Sequence, residues 1–274
     1  MSPKGTYRNW DDYFIPGTEV LRNKFTSKNQ PYGESDPDKL RQLEEGHAFI
    51  RFTELMDNPI KGEFDYKHFK AIHAYIFQDV YEWAGQERVA PTQFMTKDGH
   101  AYYPAGPSLT NAANAEFEKL AAKDYLQGLE CEKFVSELAE SWGELNVVHS
   151  FREGNTRAQF VFFSQLCEQA GYELDTASFT PGSPLRDDFV QARFHSQDTG
   201  SNECLAGVLR QAVKPLNEVG RSGNEPGYMT GKRLVQGIYS SLENSNPAKY
   251  QTPGYSGRNY RGTGRAPGLN GLER

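Results

Sequence analysis

The 274-residue chain reads as an all-α fold carrying one small β-hairpin, on three observations. Apolar residues recur at helical spacing in several separate segments. Capping and stop residues stand at the ends of those segments. A single Asp-Gly pair, Asp98-Gly99, lies between short runs of strand formers.

Residues 1–34 are turn-rich, with Pro16, Gly17, Pro31 and Gly33, and read as a lead-in to a domain over 35–215. Asp36 can cap a helix with Pro37 at its first position. In FDYKHFKAIHAYIFQDVYEW the residues Phe69, Ile72, His73, Ile76, Phe77 and Val80 follow the i, i+3, i+4, i+7 rule, with Asp65 as the cap. RVAPTQFMTKDGHAYYP is the hairpin, its strands limited by Pro91 and Pro104, so it reads as an isolated flap. Helical pattern returns over about 108–127 and again in CEKFVSELAESWGELNVV, where Phe134, Val135, Leu138, Trp142 and Leu145 share a face. A further helix carries Phe160, Phe163, Cys167 and Ala170 and stops at Gly171. DDFVQARF and NECLAGVLRQAV predict the last two helices.

Beyond 216 the composition shifts. Eleven of the 26 glycines and nine of the 30 Lys+Arg fall in 211–274, against four Asp+Glu. That segment is about +5, and the rest of the chain, with 21 basic and 32 acidic residues, about −11. The 216–274 stretch has little to bury and reads as a flexible basic tail, either a solvated extension or an arm that docks an acidic partner. A net charge of −6 argues against a general nucleic-acid binder. No apolar run is long enough for a membrane span, and MSPKGTYRNWDDYF has no apolar signal core, so a cytoplasmic setting is expected. Cys131, Cys167 and Cys204 have no metal-ligand spacing, and Cys167 falls on an apolar stripe as a buried thiol.

Chemistry concentrates in HSFREGNTR, residues 149–157. One helix ends near Val148 and another begins near Asn155, so the stretch is a tight connection onto a helix start whose free N–H groups suit an anion. Gly154 lets backbone amides approach a phosphate. Arg157 can add a bidentate cation, Glu153 can hold Mg²⁺, and His149 can accept a proton from a hydroxyl. Phe151 anchors the loop in the core. A lone histidine is more often structural, a lone Glu or Arg a surface charge, and Gly-Asn a turn; the combination points to phosphoryl or nucleotidyl transfer.

HSFREGNTR resembles the signature of the Fic (filamentation induced by cyclic AMP) family, His-Pro-Phe-x-Asp/Glu-Gly-Asn-Gly-Arg, at His149, Phe151, Glu153, Gly154, Asn155 and Arg157. PGTEVLRNK at 16–24, FDYKHFKAIHAYIFQDVYEWAGQER at 64–88 and ELNVVHSF extend the resemblance over about 10–213. It implies an all-α core with a β-hairpin flap and transfer of AMP from ATP to a Ser, Thr or Tyr hydroxyl of a target protein. Carried over, His149 is the general base and Glu153 coordinates Mg²⁺. Gly154, Asn155 and Thr156 form the anion hole, and Arg157 holds the departing phosphates. The flap, with Lys97, Asp98, Gly99 and His100, pairs with an extended target segment.

Three positions depart from the pattern. Ser150 stands where proline is usual, and Thr156 replaces the second glycine. Phe160 replaces a second arginine that the family often uses for the terminal phosphate, a loss of about 1.5–3 kcal/mol of charge-assisted contact. An inhibitory Ser/Thr-x-x-x-Glu helix, in the chain or on a partner, also belongs to the family; TELMDN at 53–58 approximates it but reads as an ordinary helix end before Pro59. The expectation is therefore a toxin-like branch restrained by a small antitoxin-like protein, or no longer needing that brake. The alternatives are a Fic-type transferase with another donor (UTP, GTP or a phosphocholine carrier) and a Fic-fold binding module without turnover.

Overall fold

The computed structural model describes residues 6–216 apart from Phe94, Asp98, Thr180 and Pro181. Seven α-helices in this span build the fold: α1 (Pro37–Asp57), α2 (Tyr66–Phe77), α3 (Pro107–Ala122), α4 (Cys131–Val148), α5 (Asn155–Ala170), α6 (Pro184–Thr199) and α7 (Glu203–Ala212). Strands β1 (Met95–Lys97) and β2 (His100–Tyr102) form the flap, and β3 (Tyr172–Leu174) pairs with β4 (Val213–Pro215). The tail from 217 onward lies outside the described residues.

Caps set the helix starts. Asp36 accepts from the amides of Asp38 and Lys39, and Asp65 from that of His68, as their side-chain chemistry predicts. Gly171 closes α5 in the left-handed region. The helix expected over 108–127 ends five residues sooner: residues 124–126 turn with positive φ into a short 3-10 segment. The β3–β4 pair, a tie between the end of α5 and the end of α7, was not apparent in the sequence because each strand has three residues.

The core is aromatic. Phe69, Phe117, Phe151 and Phe162 meet at ring-centroid separations of 5.3 to 5.8 Å, which locks α2, α3 and α5 around the loop that joins α4 to α5. Cys167 is buried on α5, and burial holds its thiol far above the usual range, so it is protonated packing material. Among the described residues no helix is long and apolar enough to cross a membrane.

The lead-in does not stand apart from this core. Tyr13 is fully buried against Trp83. Arg152, from the α4–α5 loop, is also fully buried, its guanidinium lying 3.9 Å over the Trp10 ring and 5.1 Å over that of Phe14. A desolvated cation held on aromatic faces fastens residues 10–14 to the loop, each contact worth on the order of 1–2 kcal/mol. A double-mutant cycle on Trp10→Ala and Arg152→Ala, read by urea denaturation, is expected to give a coupling of about 1–2 kcal/mol; additive losses would assign the clasp to packing alone.

Candidate functional site

Helix α4 ends in an unusual way. Its C-cap is His149, a non-glycine residue at φ 48° and ψ 59°. The left-handed turn swings the chain away from the helix and leaves carbonyls that need donors. Arg88, buried from the Trp83-Ala84-Gly85 turn, supplies them. Its Nε donates to the His149 carbonyl at 2.7 Å, and Nη2 donates to the carbonyls of Val148 and, in the flap's exit, Tyr103. The Arg88 amide donates to the Ser150 carbonyl at 2.9 Å. One cation at the negative end of α4 thus fixes the backbone on which His149 is mounted. The half-buried imidazole lies against Tyr102 of β2, with ring centroids 4.5 Å apart.

The rest of the loop is clasped twice. The Asn155 side chain accepts from the Phe151 amide at 2.9 Å and donates to the Phe151 carbonyl at 2.8 Å. Its amide group is therefore committed to the loop, and what it offers an anion is its backbone N–H. His73 of α2 stacks on Phe151 at 3.7 Å and donates from Nε2 to the Glu153 carbonyl at 2.9 Å, while Nδ1 accepts from the Gly85 amide at 2.8 Å. That pair of partners fixes one neutral tautomer. Burial is the main reason the ring's pKa is pulled down to about 3, against the opposing effect of the Glu153 carbonyl.

Helix α5 then starts with no side-chain cap and no acidic residue in its first turn, so its first amides and the positive end of the dipole are left without a side-chain acceptor. Gly154 has φ +81°, and a Cβ there would sit 2.3 Å from the Phe77 ring. Glu153 places Oε1 2.9 Å from the Gly154 amide and 3.8 Å from Arg157 Nη2. Arg157 lies over the Phe77 ring and donates to Glu44 Oε1 of α1 at 2.5 Å. Tyr81 donates its hydroxyl to the other Glu44 oxygen. Burial alone would lower the Arg157 pKa, but the Glu44 and Glu153 carboxylates raise it overall, and the cation is permanent. On the other side of the helix start, Thr156 Oγ1 accepts from Arg193 of α6 at 3.2 Å.

The structure therefore sets Glu153, Gly154, Asn155, Thr156 and Arg157 at one helix start, with His149 at the other end of the same loop. The flap is set beside them. Met95 pairs with Tyr102, Thr96 with Ala101 and Lys97 with His100. β2 is held from behind: His100 stacks on Phe194 at 4.0 Å and pairs with Asp198 at 2.7 Å, and Gln197 donates to the Ala101 carbonyl. His100 is thus turned to α6, whereas β1 keeps an outer edge with no strand paired to it among the described residues. Gly99 takes φ +87° at the turn, and Asp98 lies outside the described residues. Phe160 packs among Trp142, Phe179 and Phe189. TELMDN closes α1, with the Thr53 hydroxyl donating back to the Phe49 carbonyl.

Sequence reasoning did not single out Arg88, His73, Glu44 or Arg193 as parts of the site. His73 was assigned only to an apolar stripe. The others act on the loop from elements 61, 113 and 37 residues away from the atoms they hold. No local pattern could have named them.

Two outcomes test this frame. The His73 ring is neutral in the fold, with a pKa of about 3 against roughly 6.5 in an unfolded chain. Its contribution to stability is therefore complete above about pH 6.5 and is lost as pH falls toward 3. Urea midpoints measured from pH 7.5 to 4 should fall less steeply in His73→Gln than in the wild-type chain; parallel profiles would reject the assignment. Gly154→Ala should lower the unfolding free energy by about 2–4 kcal/mol, the sum of a left-handed alanine and an overpacked Phe77 contact. A loss under about 1 kcal/mol would mean that the Phe77 contact yields easily.

Comparison with known proteins bears on the same residues. The Fic/DOC family model matches residues 63–167. The chain is 38% identical over 173 residues to the probable protein adenylyltransferase y4lH of Sinorhizobium fredii, covering 62% of this chain and 82% of that protein. It is 34% identical over 166 residues to the probable protein adenylyltransferase Fic of Escherichia coli, covering 60% and 76%. The N-terminal FIC domain of Bep8 from Bartonella sp. 1-1C superposes with a TM-score of 0.64 at 26% identity, over 75% of this chain and 95% of that one. The helical frame agrees with these likenesses, and the chain belongs to the Fic/DOC family.

Proposed function

We propose that this chain transfers AMP from ATP to a hydroxyl side chain of a target protein. The observation that carries the reading is that His149 and an uncapped helix start, flanked by Glu153, Thr156 and Arg157, stand at the two ends of one loop, residues 149–154. A base and an anion cradle on one short loop suit attack of a hydroxyl on a phosphate. His149 takes the hydroxyl proton. The hydroxyl oxygen forms a bond to the α-phosphorus, the bond from that phosphorus to the oxygen leading to the β-phosphate breaks, and pyrophosphate leaves. The amides of the first α5 turn face the charge that develops on the phosphates.

Among the described residues no cluster of three acidic, His or Cys side chains is assembled. Glu153 lies at the helix start, with Glu44 beyond it paired to Arg157; a carboxylate there suits Mg²⁺, which keeps phosphates and waters as its other ligands. When bound there, Mg²⁺ would neutralise phosphate charge.

Target docking fits the flap. An extended segment adding to the open edge of β1 would lie in register with the strand pair whose Tyr102 touches His149. A separate small inhibitor protein belongs to the same reading, because the stretch resembling an in-chain brake is committed to closing α1.

Incubation of the protein and a cell lysate with α-labelled ATP is expected to label a protein, and γ-labelled ATP is not. His149→Ala should reduce the label by about 10²–10⁴-fold. Label from UTP or GTP in preference to ATP would replace the donor. Equal labelling by the wild type and His149→Ala, or none from any donor, would overturn the reading.

A further inference from the structure

The helix start that would receive the phosphates has two arginines near it, and they are not equivalent. Arg157 is paired with Glu44 at 2.5 Å and stands 3.8 Å from Glu153, so two carboxylates already balance its charge. Arg193 comes from α6, 36 residues along the chain from Arg157. Its Nη1 donates at 3.2 Å to Thr156 Oγ1 and at 3.2 Å to Asn146 Oδ1, both neutral groups. Its guanidinium lies 4.9 Å over the Phe189 ring. Nε is shut away from solvent and has no hydrogen-bond partner, although part of the residue reaches solvent. It forms no ion pair among the described residues. Burial drives its pKa down to about 10, with the Tyr102 phenol opposing that fall and the Arg186 cation adding to it.

An enclosed cation without a counter-ion is costly unless something anionic completes it. The helix start beside it needs an anion for the same reason, and Thr156 links the two: its hydroxyl accepts from Arg193 and keeps a proton to donate onward. Asn146 holds Gln197 through its amide at 3.3 Å, which steadies the group from the far side. Phe189, the apolar surface under the guanidinium, is backed by Phe160 at 5.3 Å.

Resting on the adenylyltransferase reading above, we propose that Arg193 binds the polyphosphate of the nucleotide beyond the α-phosphate, supplying from α6 the charge that α5 lacks at Phe160. Arg193 is thus a substrate-binding residue, and Thr156 relays its hydrogen bonding to the phosphates.

Calorimetric titration of the full chain with AMP, ADP and ATP in magnesium buffer tests this. Wild type is expected to prefer ATP to AMP, and Arg193→Gln to lose at least tenfold of that preference while AMP affinity stays within about twofold. Arg193→Lys, which keeps the charge on a flexible stem, should retain most of it. Because Arg193→Gln can disturb folding, a wild-type measurement runs beside it: pyrophosphate should slow modification of Arg193 by phenylglyoxal, read by peptide mass. An unchanged ATP preference in Arg193→Gln, or modification of Arg193 at the same rate with and without pyrophosphate, overturns the proposal and leaves the transferase reading standing. A wild-type chain that binds none of the three nucleotides overturns both.

Discussion

The site depends on a helix that is made to end wrongly. At His149 the chain enters the left-handed region without a glycine, which costs about 1–2 kcal/mol. Arg88 offsets that cost with charge-assisted hydrogen bonds to the carbonyls on either side of the bend, and such bonds contribute about 1.5–3 kcal/mol each when buried. The same guanidinium reaches the Tyr103 carbonyl at the end of the flap. Histidine backbone, loop and flap are therefore held by one side chain, and the later contacts from Asn155 and His73 have a fixed loop to act on. A base on a mobile loop would meet its substrate in the right geometry only part of the time.

Four arginines surround this loop, and their partners separate their roles. Arg88 meets backbone carbonyls. Arg152 meets the rings of Trp10, Tyr13 and Phe14. Arg157 meets carboxylates. Arg193 meets an amide and a hydroxyl. The first two are built into the frame, and Arg157 bridges α1 to the start of α5. The pairing of Arg157 with Glu44, with Glu153 3.8 Å away, makes these side chains a nearly neutral unit rather than a lone cation. Tyr81, kept protonated first by burial and second by Glu44, holds that carboxylate in place from the other side.

Much of this was legible before any coordinates. Helix starts at Asp36 and Asp65, the end of α5 at Gly171 and the break between Val148 and Asn155 follow from local capping chemistry, which the residues carry themselves. The Asp98-Gly99 hairpin follows from its turn and strand formers. The family resemblance added roles to residues that already stood together. Long-range partners stayed hidden: Arg88, Glu44 and Arg193 look like ordinary surface charges in sequence, and only the packing of α1, α2 and α6 around α5 shows what they hold. His100 shows the converse. Its place in the hairpin suggested an outward role, and contact with Phe194 and Asp198 turned it to the frame. The three-residue strands of β3 and β4 are too short to carry a pattern.

The two departures at Thr156 and Phe160 are best understood together. Taken singly, each departs from the family pattern, a β-branched residue for a glycine and a phenylalanine for an arginine. In the fold they act on one neighbour. The Thr156 hydroxyl takes a hydrogen bond that a glycine could not take, and Phe160 packs with Phe189 into the surface on which the Arg193 guanidinium rests. An arginine at 160 would have to bury its charge among the rings of Trp142, Phe179 and Phe189. Phenylalanine avoids that cost and adds apolar burial. Thr156 and Phe189, the latter backed by Phe160, are thus what hold the Arg193 guanidinium beside the start of α5.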